Sequence, residues 1–270
     1  MGANQESPIL EWMTDDTVSR FYDDLALYYN LICHDWDSAM TRQAAAISAI
    51  LRRERGRDGS PSVLDCSCGI GTQSLGLAKL GYHVTGSDLS AGAVRRAREE
   101  AAVRGLNVPF YVADVRRLNE LPIGVFDAVI SMDNALPHLL SDADLAEAAQ
   151  QMRAKLPAGG TLLASILDYD QLVRGRVTVH GPAFCSDADR RRIVFQVWDW
   201  MDDRRYTVHL YITRETPSGW DNFHAATVYR AVLREEITTI LASSGFANIR
   251  WLFPNESGLY VPVVIATATG

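Results

Sequence analysis

Residues 63–78 read VLDCSCGIGTQSLGLA: an apolar strand ending in the acid Asp65, a glycine pair at Gly69 and Gly71, then the start of an amphipathic helix. Strand, glycine turn and helix in this order open many nucleotide-binding sheets. A dinucleotide fingerprint would continue to a third glycine or alanine, and Ser74 stands there instead. No Gly-Lys-Ser/Thr run follows, which excludes a triphosphate loop. The glycines by themselves specify a tight turn and leave the ligand open.

Outward from this stretch the chain alternates. Strands are predicted at 62–66, 82–87, 108–112, 126–132 and 161–167, with helices at 71–80, 91–104 and 142–156 between them. That order predicts a Rossmann-like, doubly wound and mostly parallel sheet. Over 175–232 the pattern changes to period-2 alternation broken by turns, as in RRIVFQVWDW and RRYTVHLYITRE, which predicts an antiparallel β insertion. A helix at 233–244, a strand at 249–253, a PNESG turn and a strand at 260–266 complete a seven-stranded α/β sheet with an antiparallel terminal hairpin. Before the sheet, 21–51 has helical spacing with a break near 34–37, and 52–62 is a turn-rich connector. The expected organisation is a helical lid segment (1–60) with mobile first residues, a nucleotide-binding core (61–174), the insertion (175–232), and a closing helix and hairpin (233–270).

Composition narrows the partners. A net charge of -7 over 270 residues repels phosphate backbones, so no nucleic acid is expected. The basic runs at 52–55 and 190–192 are short and interrupted or flanked by acids, as on a solvated surface. Cys66 and Cys68 form a lone Cys-x-Cys without the second pair a zinc site needs, so they read as packing residues and no metal is expected. No apolar run approaches the roughly 18 residues of a membrane span, and no signal-peptide pattern opens the chain, so the reduced cytoplasm is the expected location.

Acids at the ends of three successive strands carry the ligand reading. Asp88 closes the second strand, where an acid bonds a ribose hydroxyl pair. Asp114 closes the third, within reach of an exocyclic adenine amine. Asp65 either braces the glycine loop or helps hold an amino-acid ammonium group. Each could instead be a helix N-cap. Together they suit a cationic ligand without phosphates, S-adenosylmethionine (SAM), and suit a pyrophosphate badly.

These residues resemble the class I SAM-dependent methyltransferases. FDAVISMDNALPHLL (126–140) is similar to the fourth-strand motif of the glycine and glycine/sarcosine N-methyltransferases, with Asn134 and His138 at matching offsets. LASILDYD (163–170) resembles that group's fifth-strand ending, and FYDDLALYYNLICHDWDSAMTRQ (21–43) its cofactor-closing segment. The resemblance implies that Tyr29, Trp36 and Arg42 contact SAM, with Arg42 on its carboxylate. Ser67, Gly69, Gly71, Asp88, Leu89, Asp114, Val115 and Met132 would line the rest of the cofactor site beside Asp65, with His138 at its edge. Asn134 would face the acceptor, joined by Tyr22, Leu167 and Tyr169. Where glycine-methylating members carry an arginine for the substrate carboxylate, this chain has Leu167, so the expected acceptor is a small molecule other than glycine.

Glu256 and Tyr260 lie near the turn at the carboxyl edge of the sheet and are candidates for the acceptor pocket. His138 is the candidate base, essential for an oxygen acceptor and sharing the role with water for an amine. Histidines 83, 180, 209 and 224 read as structural or exposed. The expected function is methyl transfer to a small-molecule amine, yielding S-adenosylhomocysteine (SAH). The composition is compatible with secondary-metabolite tailoring. O- or C-methylation, a non-catalytic SAM-binding protein and an NAD-dependent oxidoreductase are the alternatives. The insertion would cover the sheet edge, and it could also build a homo-oligomer interface.

Overall fold

Short runs of Val, Leu, Ile and Ala bounded by turn residues cannot satisfy their backbone alone, and they pair into strands. The structure, a computed structural model, describes residues 15–55, 61–187 and 190–270. The expected mobile N-terminal residues and part of the 52–62 connector lie outside that set. Strands β1 (Ser62–Asp65), β2 (His83–Asp88), β3 (Phe110–Val112), β4 (Ala128–Ser131) and β5 (Thr161–Ser165) are parallel. After them come β6 (Val179–Asp187), β7 (Arg190–Trp200), β8 (Arg205–Thr216) and β9 (Gly219–Arg230), which form a separate antiparallel sheet in sequential order. The last strands, β10 (Phe246–Leu252) and β11 (Val263–Ala268), return to the first sheet, whose order is β10-β11-β5-β4-β1-β2-β3, with β11 antiparallel to both neighbours. This is the expected seven-stranded, mostly parallel sheet with an antiparallel ending.

Helices α1 (Asp15–Leu25), α2 (Trp36–Arg55), α3 (Thr72–Lys79), α4 (Ala91–Val103), α5 (Asp142–Ala154), α6 (Tyr169–Gly175), α7 (Arg234–Ser243) and the single turn α8 (Pro254–Ser257) surround the two sheets. Leu64, Ile130 and Leu163 on the central strands are fully buried. Each contributes about 1.5–3 kcal/mol of hydrophobic stabilisation. In register, Asp65 on β1 lies opposite Gly86 on β2 and Ile130 on β4, which aligns their carboxyl ends along one edge.

Boundaries differ from the pattern in instructive places. The helix expected to run from Phe21 past Ile32 ends at Leu25, and a 3-10 turn follows at Tyr29–Leu31. The buried guanidinium of Arg192 on β7 holds this turn, donating to the carbonyls of Leu31 (2.9 Å), Cys33 (2.8 Å) and His34 (3.0 Å). The predicted PNESG turn is the helix α8. Helix α6 was not anticipated, because its seven residues carry only one apolar period, Tyr169, Leu172 and Val173.

The second sheet presents one face inward. Along β8, Tyr206, Val208, Leu210 and Ile212 are buried while the residues between them are half-buried. Leu210 and Ile212 pack with Val194 against Phe21 and Leu25 of α1. On its other side α1 reaches the start of α4, where Asp23 accepts from the Gly92 amide (2.7 Å) and the Ser90 hydroxyl (2.6 Å). Helix α1 thus lies between the second sheet and the ligand edge of the first.

Candidate cofactor and acceptor site

The turn from β1 into α3 needs backbone conformations that L-residues avoid. Gly69 has φ +52° and Gly71 φ +94°. A Cβ on Gly71 would press against Leu75 at 3.0 Å, so Gly71 serves the turn and does not line a cavity. A Cβ on Gly69 would meet nothing within 4 Å. Gly69 borders a cavity of about 110 Å³ over the carboxyl edge of β1, β2 and β4, and its missing side chain keeps that space open.

Asp88 stands on this cavity at the end of β2. One of its oxygens accepts from the Gly69 amide at 2.8 Å and the other from the Ser90 amide at 2.9 Å. A carboxylate has about four acceptor sites, so two remain for a diol. Burial raises the Asp88 carboxyl above its ordinary range, against the lowering effect of these amide bonds. Ser67, Leu89, Val115, Met132 and His138 share the wall, with Leu136 and Leu139 adding apolar surface. A diol-ready carboxylate, an open glycine and an apolar slot fit a nucleoside. The only lysine or arginine among the described residues on this wall is Arg116, whose guanidinium is paired with Asp114 and Asp144.

A second, larger cavity of about 1230 Å³ opens beside it, between α1, the β6–β9 sheet and the ends of β4 and β5. Tyr22, Tyr29, Thr72 and Asp133 border both spaces. The expected acceptor residues Asn134, Leu167 and Tyr260 line the larger cavity, as does Arg42. Arg42 has no ion-pair partner among the described residues.

Several expected residues stand elsewhere. Asp65 is fully buried beneath the glycine loop and bonded to Ser74 Oγ at 2.7 Å, while its other oxygen has no partner. Burial raises its pKa to about 7. It braces the turn from below and does not face either cavity. Trp36 is packed in the core, and its indole nitrogen donates to Thr72 Oγ1 at 2.9 Å. Its effect on the site passes through Thr72. Tyr169 is fully buried behind Asn134, whose amide donates to the Tyr169 hydroxyl at 2.9 Å. Glu256 caps α8 by accepting from the Phe253 amide at 3.0 Å and borders neither cavity.

Asp114 does border the small cavity, yet its carboxylate is committed. It caps the following 3-10 turn by accepting from the Arg116 amide at 2.8 Å, and it pairs with the Arg116 guanidinium at 2.5 Å. An adenine amine would have to share those oxygens. Arg116, absent from the sequence reading, lines the same wall.

His138 is not disposed as a base. Its Nδ1 lies 3.2 Å from the Val228 carbonyl, which can only accept, so Nδ1 carries the proton. Its Nε2 then accepts from the Tyr22 hydroxyl at 2.9 Å. Burial lowers its pKa to about 4, so the ring is neutral at neutral pH.

Asp133 and His180 escaped the sequence reading. Asp133 and Asn134 both adopt left-handed backbone, with φ +54° and +66°. An Asp-Asn pair just after a strand is the sequence signal for such a turn, since these residues tolerate that region best. His180, taken as structural or exposed, lines the larger cavity beside Trp198, with ring centroids 3.9 Å apart.

Comparison with known proteins bears on the fold that carries these cavities. Residues 63–160 match the family model described as a methyltransferase domain. A glycine/sarcosine N-methyltransferase of Parasynechococcus marenigrum is 28% identical over 184 residues, 67% of this chain and 64% of that protein. The chain therefore spans just under two thirds of that relative's length. The SAM-bound structure of an amino pentose methyltransferase from Micromonospora echinaspora superposes with a TM-score of 0.70 at 20% identity, covering 100% of both chains. A sugar N-methyltransferase from Streptoalloteichus superposes with a TM-score of 0.71 at 18% identity, over 86% of this chain and 88% of that one. At these identities the superpositions establish the fold.

Proposed function

Because residues 63–160 are a methyltransferase domain and the chain has the class I SAM-dependent methyltransferase fold, we propose that it transfers a methyl group from SAM to an amine nitrogen of a bulky, largely apolar small molecule. The observation that carries this reading is the junction at Tyr22, Tyr29, Thr72 and Asp133, where the small cavity walled by Gly69 and Asp88 meets a much larger one.

SAM supplies a sulfonium-bound methyl group that an amine lone pair displaces, the electron pair of the broken bond remaining on sulfur. The chain's own residues hold and align. Asp88 would take the ribose hydroxyls and Arg42 the cofactor carboxylate through a charge-assisted bond. The bond from Tyr22 to His138 keeps α1 over the small cavity and excludes water. Phe21, Leu25, Val194, Trp198 and Leu210 would surround the acceptor's body. Alignment of this kind can supply on the order of 7–11 kcal/mol of barrier lowering.

Three features favour nitrogen over oxygen and a large acceptor over glycine. An oxygen acceptor would need His138 as base, and both its nitrogens are engaged. At Leu167 the wall of the large cavity is apolar where an amino-acid carboxylate would need a cation, and Arg42, which also lines that cavity, is engaged by the cofactor carboxylate in this reading. The relative from Parasynechococcus and the fold neighbour from Streptoalloteichus are both named as N-methyltransferases.

The test is thermal shift followed by methyl transfer. SAM and SAH are expected to raise the melting temperature while NAD leaves it unchanged, and methyl-labelled SAM is expected to label apolar amines and not the matching phenols. Stabilisation by NAD alone, or label found only in phenols, would refute the reading.

A further inference from the structure

Three carboxylates border the larger cavity, and they are not equivalent. Asp168 is ion-paired with Arg234. Asp35 is exposed and accepts from the Ser38 amide at 3.1 Å. Asp133 alone stands where the two cavities meet.

The partners of Asp133 are neutral. Gln73 Nε2 donates to one oxygen at 2.7 Å and the Tyr260 hydroxyl to the other at 3.2 Å. No lysine or arginine is ion-paired with it among the described residues, Arg42 included. Burial raises its carboxyl above the ordinary range. A carboxylate taken out of water without a cation is costly unless a ligand brings one.

Its position is also enforced. The two successive left-handed residues turn its side chain off the end of β4, and such backbone costs on the order of 1–3 kcal/mol per residue. Ser165 on β5 holds the turn, its hydroxyl accepting from the Asp133 amide at 2.8 Å and its carbonyl from the Asn134 amide at 3.1 Å. Gln73 is tied in turn to Gln43 at 2.6 Å, so the donor side is fixed as well.

Resting on the methyl-transfer reading, we propose that Asp133 is the counter-ion of a cationic acceptor, holding its ammonium group at the junction and selecting amines with a bulky apolar body over neutral or anionic molecules of the same shape. The amine releases one proton to solvent before its lone pair takes the methyl group. The methylated product can regain cationic form and still match the carboxylate. The cofactor's own cationic groups are the other chemistry that would suit Asp133, and the experiment separates the two.

Tryptamine, tryptophol and indole-3-acetate share an indole body and differ in the charge of the side arm. Each is titrated by calorimetry into protein saturated with SAH, using wild type and Asp133→Asn, and SAM and SAH affinities are measured for both proteins. Wild type is expected to bind tryptamine at least about tenfold more tightly than the other two, a charge-assisted contact of about 1.4 kcal/mol. In Asp133→Asn that preference disappears, while SAM and SAH affinities stay within about twofold, which also reports that the variant is folded. A variant that loses SAM affinity but keeps the amine preference assigns Asp133 to the cofactor and overturns the proposal. Equal binding of the three probes by wild type, or binding of none, overturns it as well. Failure of wild type to bind SAH strikes instead at the methyl-transfer reading, and removes this proposal with it.

Discussion

The Tyr22 hydroxyl donates to His138 Nε2 at 2.9 Å, joining α1 to the turn after β4 across 116 positions of sequence. The Tyr229 hydroxyl of β9 lies 3.2 Å from the same Tyr22 oxygen, so the link reaches the second sheet. If the bond serves to hold α1 over the small cavity, its two ends act as one unit. Tyr22→Phe and His138→Ala should each weaken SAH binding about fivefold, the worth of a typical net hydrogen bond of about 1 kcal/mol. The double variant should be no worse than the poorer single one. Additive losses in calorimetry would show that the residues act separately.

Asp88→Ala should lose SAH affinity by at least about tenfold, since the ribose would lose a charge-assisted partner and the glycine loop its anchor. Asp88→Asn should fall between, because it keeps acceptor capacity at one oxygen. Unchanged affinity in the alanine variant would detach this acid from the ribose.

Asp65 gives stability a pH dependence of defined sign. An aspartate in an unfolded chain titrates near about 3.9, and in the fold Asp65 titrates at about 7. Between those values the folded state holds the extra proton, so this residue's contribution to stability falls as pH rises from about 4 to about 7, by on the order of 4 kcal/mol. His138, held neutral by its lowered pKa of about 4, acts in the opposite sense from about 4 to about 6.5, over most of that window. Asp65→Asn removes only the first effect. Urea unfolding should therefore show the variant losing less stability than wild type as pH rises, and parallel curves would contradict the raised pKa.

Leu167→Arg would place a cation on the wall of the larger cavity. Apolar amines should then bind about tenfold more weakly, with SAH affinity unchanged because Leu167 does not border the small cavity. Unchanged amine binding in the arginine variant would exclude this wall from acceptor contact.

How much of this was legible in the sequence differs by level. The parallel sheet was readable because its strands are buried on both faces and so appear as unbroken apolar runs, as at Ala128–Ser131. The glycine turn and Asp88 were legible because both obey local rules of backbone and strand end. Asp65, Trp36 and Tyr169 were singled out by their place in a motif and Glu256 by its place near the sheet edge, yet their side chains were claimed by Ser74, Thr72, Asn134 and the Phe253 amide. Which neighbour wins a side chain is decided by packing between distant segments, and spacing along the chain does not encode it. The same holds for Asp133, whose significance comes from Gln73 on α3 and Tyr260 beyond β10.

Tyr22 and Tyr29, from α1 and the 3-10 turn after it, border both cavities at once. Whatever orders that segment for one ligand has already met part of the entropic cost of binding the other. Occupancy of the two sites is then linked, and by reciprocity SAH should tighten the acceptor by the same factor as the acceptor tightens SAH. Two independent binding events become one cooperative event, whichever ligand arrives first, through a short helix that belongs to neither cavity alone.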